Sequence, residues 1–287
     1  MFPPRPVRYH EDRKSGMEGH GVIQLFKSFW GMEGDWEQIF SRIAAAGYAG
    51  IECPPPGAQD ASEFKELLAR YGLAYVAMLF TDGRSPREHA DTYSESLAYA
   101  AQFRPVSVTA HSSRDRYSWD GQCEFYAEAV RIERELGVSV GHETHRGRAL
   151  FTPWTTAELL RNFPDLRLTA DFSHWTCVTE SLLEEHADDL ELAMSRTIHI
   201  HARVGYAQGP QVPHPAASEY ARELDAHTRW WKRIAEIRAA AGLVTTITPE
   251  FGPAESGYMP RLPFTNVPVA DLWSVCLWMK EHLEHKM

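Results

Sequence analysis

Cysteine is scarce and scattered in this chain. There are four, Cys53, Cys123, Cys177 and Cys276, and no two stand at CxxC spacing. That excludes a disulfide scaffold and argues for isolated, reduced thiols. No stretch approaches 18 consecutive apolar residues, so no membrane-spanning helix is expected. The first residues, MFPPRPVRYHEDRKSGMEGHG, lack the apolar core of a secretory signal, and a cytoplasmic location is the expectation. Basic charge is also short. Against 39 Asp and Glu stand 29 Lys and Arg, a net charge of -10. Nucleic-acid binders neutralise phosphates with an excess of cations, so neither nucleic acid nor membrane is the expected partner.

What is present is alternation. From about residue 22, short apolar runs rich in β-branched residues are followed by longer stretches of helical periodicity. Strands are expected at Val22–Phe29, Tyr48–Glu52, Leu73–Phe80, Val106–Ala110, Val138–Glu143, Leu166–Ala170, Thr197–Ala202 and Leu243–Thr248. The helices between them are expected from Asp35 to Ala46, then Ala61–Tyr71, Pro86–Phe103, Gln122–Leu136, Thr156–Asn162, Leu182–Ser195, Ser218–Ala241 and Val269–His285. Gly47, Gly72, Gly137 and Gly242 stand where helices should stop. Eight such units predict a single α/β domain, a (β/α)8 TIM barrel over 21–287, preceded by a polar arm over 1–20. No GxGxxG follows any strand, which disfavours an open doubly wound sheet.

In such a barrel, chemistry collects at the C-terminal ends of the strands. Strand two ends in Glu52, and strand four runs into His111. Strand five ends in Glu143, with His145 on the same face and His142 on the other. Strand six ends in Asp171, followed by His174 and Trp175; strand seven carries His199 and His201; strand eight reaches Glu250. Three carboxylates at one mouth repel unless a cation stands among them. With one imidazole they suit a fairly hard divalent ion such as Mn²⁺ or Mg²⁺, with Zn²⁺ or Co²⁺ also compatible. Taken singly, each of these residues reads as an ordinary solvated acid or packed histidine. Their coincidence on four consecutive strands carries the metal reading. His201, nearer the strand end than His199, is the better ligand.

Glu143, the run Asp171-Phe-Ser-His174, His199-Ile-His201 and Glu250 resemble the xylose isomerase-like TIM barrel superfamily, over about residues 22 to 285. Its members include sugar isomerases, ketose 3-epimerases, inosose dehydratase and endonuclease-IV-type enzymes. The resemblance implies one metal, usually Mn²⁺, held by Glu143, Asp171, His201 and Glu250. It also implies that Glu143 and Glu250 act as the acid/base pair and that His174 bonds a substrate oxygen. The expected activity is isomerisation or epimerisation of a sugar or polyol through a metal-stabilised enediolate. A keto-inositol or keto-sugar dehydratase would use the same site. A zinc-dependent AP endonuclease would need further histidines such as His111, His174 and His214.

The strand-seven motif departs from many relatives. Where they carry a Lys-Asp or Gly-Glu pair just after the metal histidine, this chain has Ala202-Arg203-Val204-Gly205. Arg203, Arg146 and Arg148 are candidates to hold a phosphate or carboxylate of an anionic substrate, or to balance the acidic residues. Further substrate contacts are expected from Glu52, His111, His145, Trp30 and Trp175, the tryptophans by stacking on sugar C–H groups. The loop Gly205–Pro215 reads either as a lid or as a structural connection. Trp230, Trp231, Trp273 and Trp278 fall on helices and suit the core or a contact in a homo-oligomer.

Overall fold

Eight short parallel strands close on one another in chain order, each hydrogen-bonded to the next and the last to the first. The structure is a computed structural model describing residues 22–287; the arm expected at 1–20 lies outside the described residues. The strands are β1 Ile23–Ser28, β2 Gly50–Cys53, β3 Ala74–Phe80, β4 Ser107–His111, β5 Val140–Glu143, β6 Leu168–Ala170, β7 Thr197–His201 and β8 Thr245–Thr248. Around them lie α1 Trp36–Ala45, α2 Ala61–Tyr71, α3 Pro86–Ala101, α4 Trp119–Leu136, α5 Pro153–Asn162, α6 Phe172–Thr179, α7 Ala187–Ser195, α8 Ala221–Ala240 and α9 Leu272–Lys286. The fold is the expected α/β barrel. No helix among the described residues is long and apolar enough to cross a membrane.

Local chemistry sets most helix ends. Asp35 caps α1 in a full capping box with Gln38, and Ser85, Ser118 and Thr152 cap α3, α4 and α5. Gly72 and Gly137 end α2 and α4 in the left-handed conformation. One helix was not expected. The segment after β6, where no element was expected before Leu182, forms α6, with Asp171 as N-cap accepting from the Ser173 N–H. Only eight residues long, it carries too few turns to show a helical period, and Glu180 in the left-handed region ends it.

The interior of the barrel is polar, not the usual stack of branched aliphatics. Glu52, Thr109, Thr169, His199, Thr246 and Thr248 are all buried there and bond one another. The apolar core lies between strands and helices, in residues such as Phe40, Ile51, Phe64, Tyr93, Phe125, Leu168, Ile200 and Trp231. That division puts the charged groups on the barrel axis, where they open only at the C-terminal mouth.

Candidate metal centre

Glu143, Asp171, His201 and Glu250 converge at that mouth. Each offers one ligand atom, and the four atoms lie within 4.8 Å of one another. All four side chains are buried, Glu250 the most exposed at 3%. His201 Nδ1 lies 2.9 Å from Glu143 Oε1 and 3.0 Å from Glu250 Oε2. Asp171 is positioned by its own helix end: its N–H donates to Thr144 Oγ1 at 2.8 Å, and its Oδ1 accepts from the Ser173 N–H at 3.1 Å. Thr144, one residue past Glu143, thus ties the ends of β5 and β6 together.

Glu52 lies beneath His201. Its Oε1 is 3.0 Å from His201 Nε2 and accepts from Thr109 Oγ1 at 2.7 Å; its Oε2 is 3.2 Å from His199 Nε2. Both oxygens are engaged inside the barrel. Glu52 thus holds the two histidines, and it also lines the cavity where a substrate contact was expected of it. His199 is the deeper of the pair, as expected, and also bonds Thr246 and Thr248. His142 points outward to Ser112 and Glu133, the face opposite to Glu143.

Arg203 occupies the other flank. Its Nη2 meets Asp171 Oδ2, lies 2.7 Å from His174 Nε2 and 3.6 Å from Glu250 Oε2, and its Nε donates to Ser173 Oγ at 3.2 Å. Its Nη1 is buried with no partner. The guanidinium is spent on the acidic group, so of the two roles foreseen, charge balance is the one the contacts support.

Burial alone would raise every carboxyl here. At Glu52, His201 and His199 overcome it and hold the group well below the usual range; at Glu143, His111 and His145 do the same. Asp171 goes the other way. Burial raises it, Arg203 opposes, Glu143 and Glu250 raise it further, and it stands at about 6. Burial would depress His201, yet Glu250 and Glu52 hold it well above the ordinary imidazole value. His145 falls to about 3 by burial, and His174 falls well below its usual value by burial, His145 and Arg203.

The donor set fits a divalent cation. Four carboxyls (Glu52, Glu143, Asp171 and Glu250) face one fixed cation, Arg203, which leaves negative charge uncompensated in a buried site. Glu143 Oε2 has no hydrogen bond; His111 Nδ1 stands against it without hydrogen-bond direction. A second group, His111, Glu143 and His145, shares Glu143 with the quartet. Of the histidines that a trinuclear zinc site would need, His111 joins this second group. His174 faces Arg203, and His214 is turned to Trp278, with ring centroids 5.9 Å apart.

Glu143 and Glu250 of the quartet open into a cavity of about 560 Å³. Trp30, His111, His145, Glu143, Arg203 and Glu250 line it, as expected. So do Phe29, Met78, Phe80, Arg148 and Tyr258. Tyr258 was missed by sequence reasoning because it comes from the irregular segment between β8 and α9, where no periodicity marks it. Its ring is T-shaped to Trp30 at 4.9 Å and lies under Arg203 at 4.8 Å.

Two expectations are corrected, and one open alternative finds support. Trp175 does not face the cavity; it is fully buried, stacked on Phe172 at 4.8 Å, with Nε1 donating to the Leu150 carbonyl. His174 is likewise buried behind Arg203 and His145, off the cavity wall. Gly205–Pro215 is a built connection. Gly205 packs on the Ser173 carbonyl, where a Cβ would not fit, and Gln211 makes two bonds to the Gly252 backbone. Val212 N–H bonds back to Val204 O at 2.9 Å.

Residues 40–204, more than half of the chain, match the family described as "Xylose isomerase-like TIM barrel". No curated protein matches by sequence. Three solved structures are similar. The 3-keto-D-glucoside 4-epimerase YcjR from E. coli is 12% identical, with 92% of this chain and 100% of that one covered and a TM-score of 0.61. An AP endonuclease of family 2 from Brucella melitensis is 14% identical, covering 91% and 99%, with a TM-score of 0.56. The "probable 3-DHS dehydratase AsbF" from Bacillus anthracis is 14% identical, covering 82% and 95%, with a TM-score of 0.55. At such identities the likeness is one of fold.

Proposed function

The chain belongs to the xylose isomerase-like TIM barrel family, and from that premise we propose that it is a divalent-metal-dependent isomerase or epimerase of a small sugar or polyol. The observation that carries this reading is the convergence of Glu143, Asp171, His201 and Glu250, of which Glu143 and Glu250 line a 560 Å³ cavity. These four would hold the cation, with Mn²⁺ favoured for three carboxylates and one imidazole. When bound, it would draw electron density from a carbonyl and the adjacent hydroxyl, and so acidify the C–H between them.

The residues of the chain do the rest. Glu143, held ionised by His111 and His145, can accept a proton from carbon. Glu250 comes from another strand end, 3.0 Å from the same His201 nitrogen that Glu143 approaches. One glutamate removes the proton and the other returns it from a different side. Arg203, at the cavity wall, fixes Asp171, and its Nη1 is buried without a partner. Phe29, Trp30 and Tyr258 offer apolar surface to the C–H face of a ring.

The test is metal analysis with solvent exchange. Purified protein should carry about one divalent ion per chain, lost in Glu143→Ala. With Mn²⁺ in D₂O, a panel of ketoses and keto-inositols should include one that takes up deuterium at carbon, and Glu250→Gln should stop it while leaving the fold intact. Loss of water from the substrate would make it a dehydratase, and about three zinc ions per chain would point to the nuclease. A protein that binds no metal under any reconstitution refutes the reading.

A further inference from the structure

Two guanidinium groups line the cavity, and they are not alike. Arg203 is committed to Asp171, His174 and Ser173. Arg148, on the loop after β5, pairs with no carboxylate among the described residues. Only its Nη1 is engaged, donating to the Thr81 carbonyl at 3.0 Å and the Ser113 carbonyl at 3.3 Å.

Those two carbonyls are themselves held. Thr81 N–H bonds the His111 carbonyl at 3.1 Å, and Ser113 N–H bonds Thr81 Oγ1 at 2.8 Å. Ser113 sits at φ 56, a strained conformation for serine, and its hydroxyl bonds Gln122 at 3.0 Å. Two loops are thus built to grip one nitrogen of Arg148 and leave the remainder of its fork free. A half-buried guanidinium loses hydration that carbonyls only partly replace, and burial lowers its pKa accordingly. Its flat, bidentate edge matches a carboxylate or phosphate better than any neutral hydroxyl.

Beside Arg148 the cavity wall is aromatic. Phe80 stacks on His111 with centroids 4.3 Å apart and planes at 13°.

We infer that the substrate is anionic, and that Arg148 receives its carboxylate or phosphate while the α-hydroxy-ketone end lies at the carboxylate quartet. This rests on the isomerase or epimerase reading of the same cavity.

The experiment is calorimetric binding of D-fructose, D-fructose 6-phosphate and the corresponding C6 carboxylate to the full chain loaded with Mn²⁺, with the wild type beside Arg148→Met and Arg148→Lys. One or both anions should bind the wild type about tenfold or more tightly than D-fructose, the anion that wins naming the group. Arg148→Met should bring all three within about twofold of one another, and Arg148→Lys should keep part of the preference. Retained D-fructose binding in Arg148→Met reports an intact cavity. Should that variant unfold, Arg148→Lys decides alone, through a selective loss for the anions. Equal binding of neutral and anionic compounds, no binding of either anion at millimolar concentration, or a preference that survives in Arg148→Met would overturn the inference. Deuterium exchange at carbon, followed in the same samples, tests the isomerase reading separately: tight anion binding without exchange would sink that reading and leave the anion site standing.

Discussion

His201 Nε2 lies 3.0 Å from Glu52 Oε1, while His201 Nδ1 faces Glu143 and Glu250 at 2.9 and 3.0 Å. With the Nε2 proton donated to Glu52, the Nδ1 lone pair is the one left for a cation. An outer carboxylate of this kind fixes the tautomer and the ring plane of a metal-binding histidine. Glu52→Gln should therefore weaken cation binding about 10- to 100-fold in a chelator competition. Glu52→Leu should also cost about 3–5 kcal/mol of stability, because it strands His199 and His201 without their acceptor. Unchanged affinity in both variants would reduce Glu52 to packing.

The metal-free protein should lose stability on the alkaline side. His201 is raised above its ordinary 6.5, so its contribution is complete below pH 6.5 and lost as pH rises through the folded value. Glu52 and Glu143 are lowered from 4.5, so theirs is present above pH 4.5 and lost on acidification below it. Asp171, raised from 3.8 to about 6, works against them and gains stability by taking its proton between those values. Thermal unfolding in chelator across this range should peak in the weakly acid region. Saturating Mn²⁺ should remove the alkaline decline, since a cation then replaces the proton on His201. A flat profile without metal would contradict the assignment.

Replacing the core tryptophan should act on folding alone. Trp175→Ala should cost about 3–5 kcal/mol, the range for a large aromatic emptied from a packed core. Trp30→Ala, at the cavity wall, should cost far less stability and raise KM instead. Denaturant titration and kinetics on the two variants separate the roles; equal KM effects would return Trp175 to the substrate.

Gly205 tests the loop. A Cβ there meets the Ser173 carbonyl, and Ser173 in turn holds Asp171 Oδ1. Gly205→Ala should destabilise by about 1–3 kcal/mol and weaken cation binding with it. In the wild type, protease resistance of Gly205–Pro215 should be the same with and without Mn²⁺. Protection appearing only on binding would restore the lid.

Much of the fold was legible in the sequence because its signals are local. The Ala61–Tyr71 helix has the bounds expected of it, set by the following Gly72. The strands came out shorter than expected at their N-terminal ends, as at Leu243, because apolar residues entering a strand look no different from those in it. α6 escaped because an eight-residue helix, tied to Asp171, leaves no period to read.

The sequence by itself determined the alternation that makes a barrel, the strand ends that carry Glu143, Asp171, His201 and Glu250, and the side of β5 on which His142 and Glu143 part. Each follows from neighbours a few residues away and from the two-residue period of a strand. Only the tertiary structure decided that Glu52 from β2 would lie under His201 from β7, that Arg203 would close on Asp171, that Trp175 would turn into the core, and that Arg148 would stand without an acid at the cavity. Those depend on which side chains meet across the closed barrel and between loops, and closure, register and loop packing are properties of the whole chain.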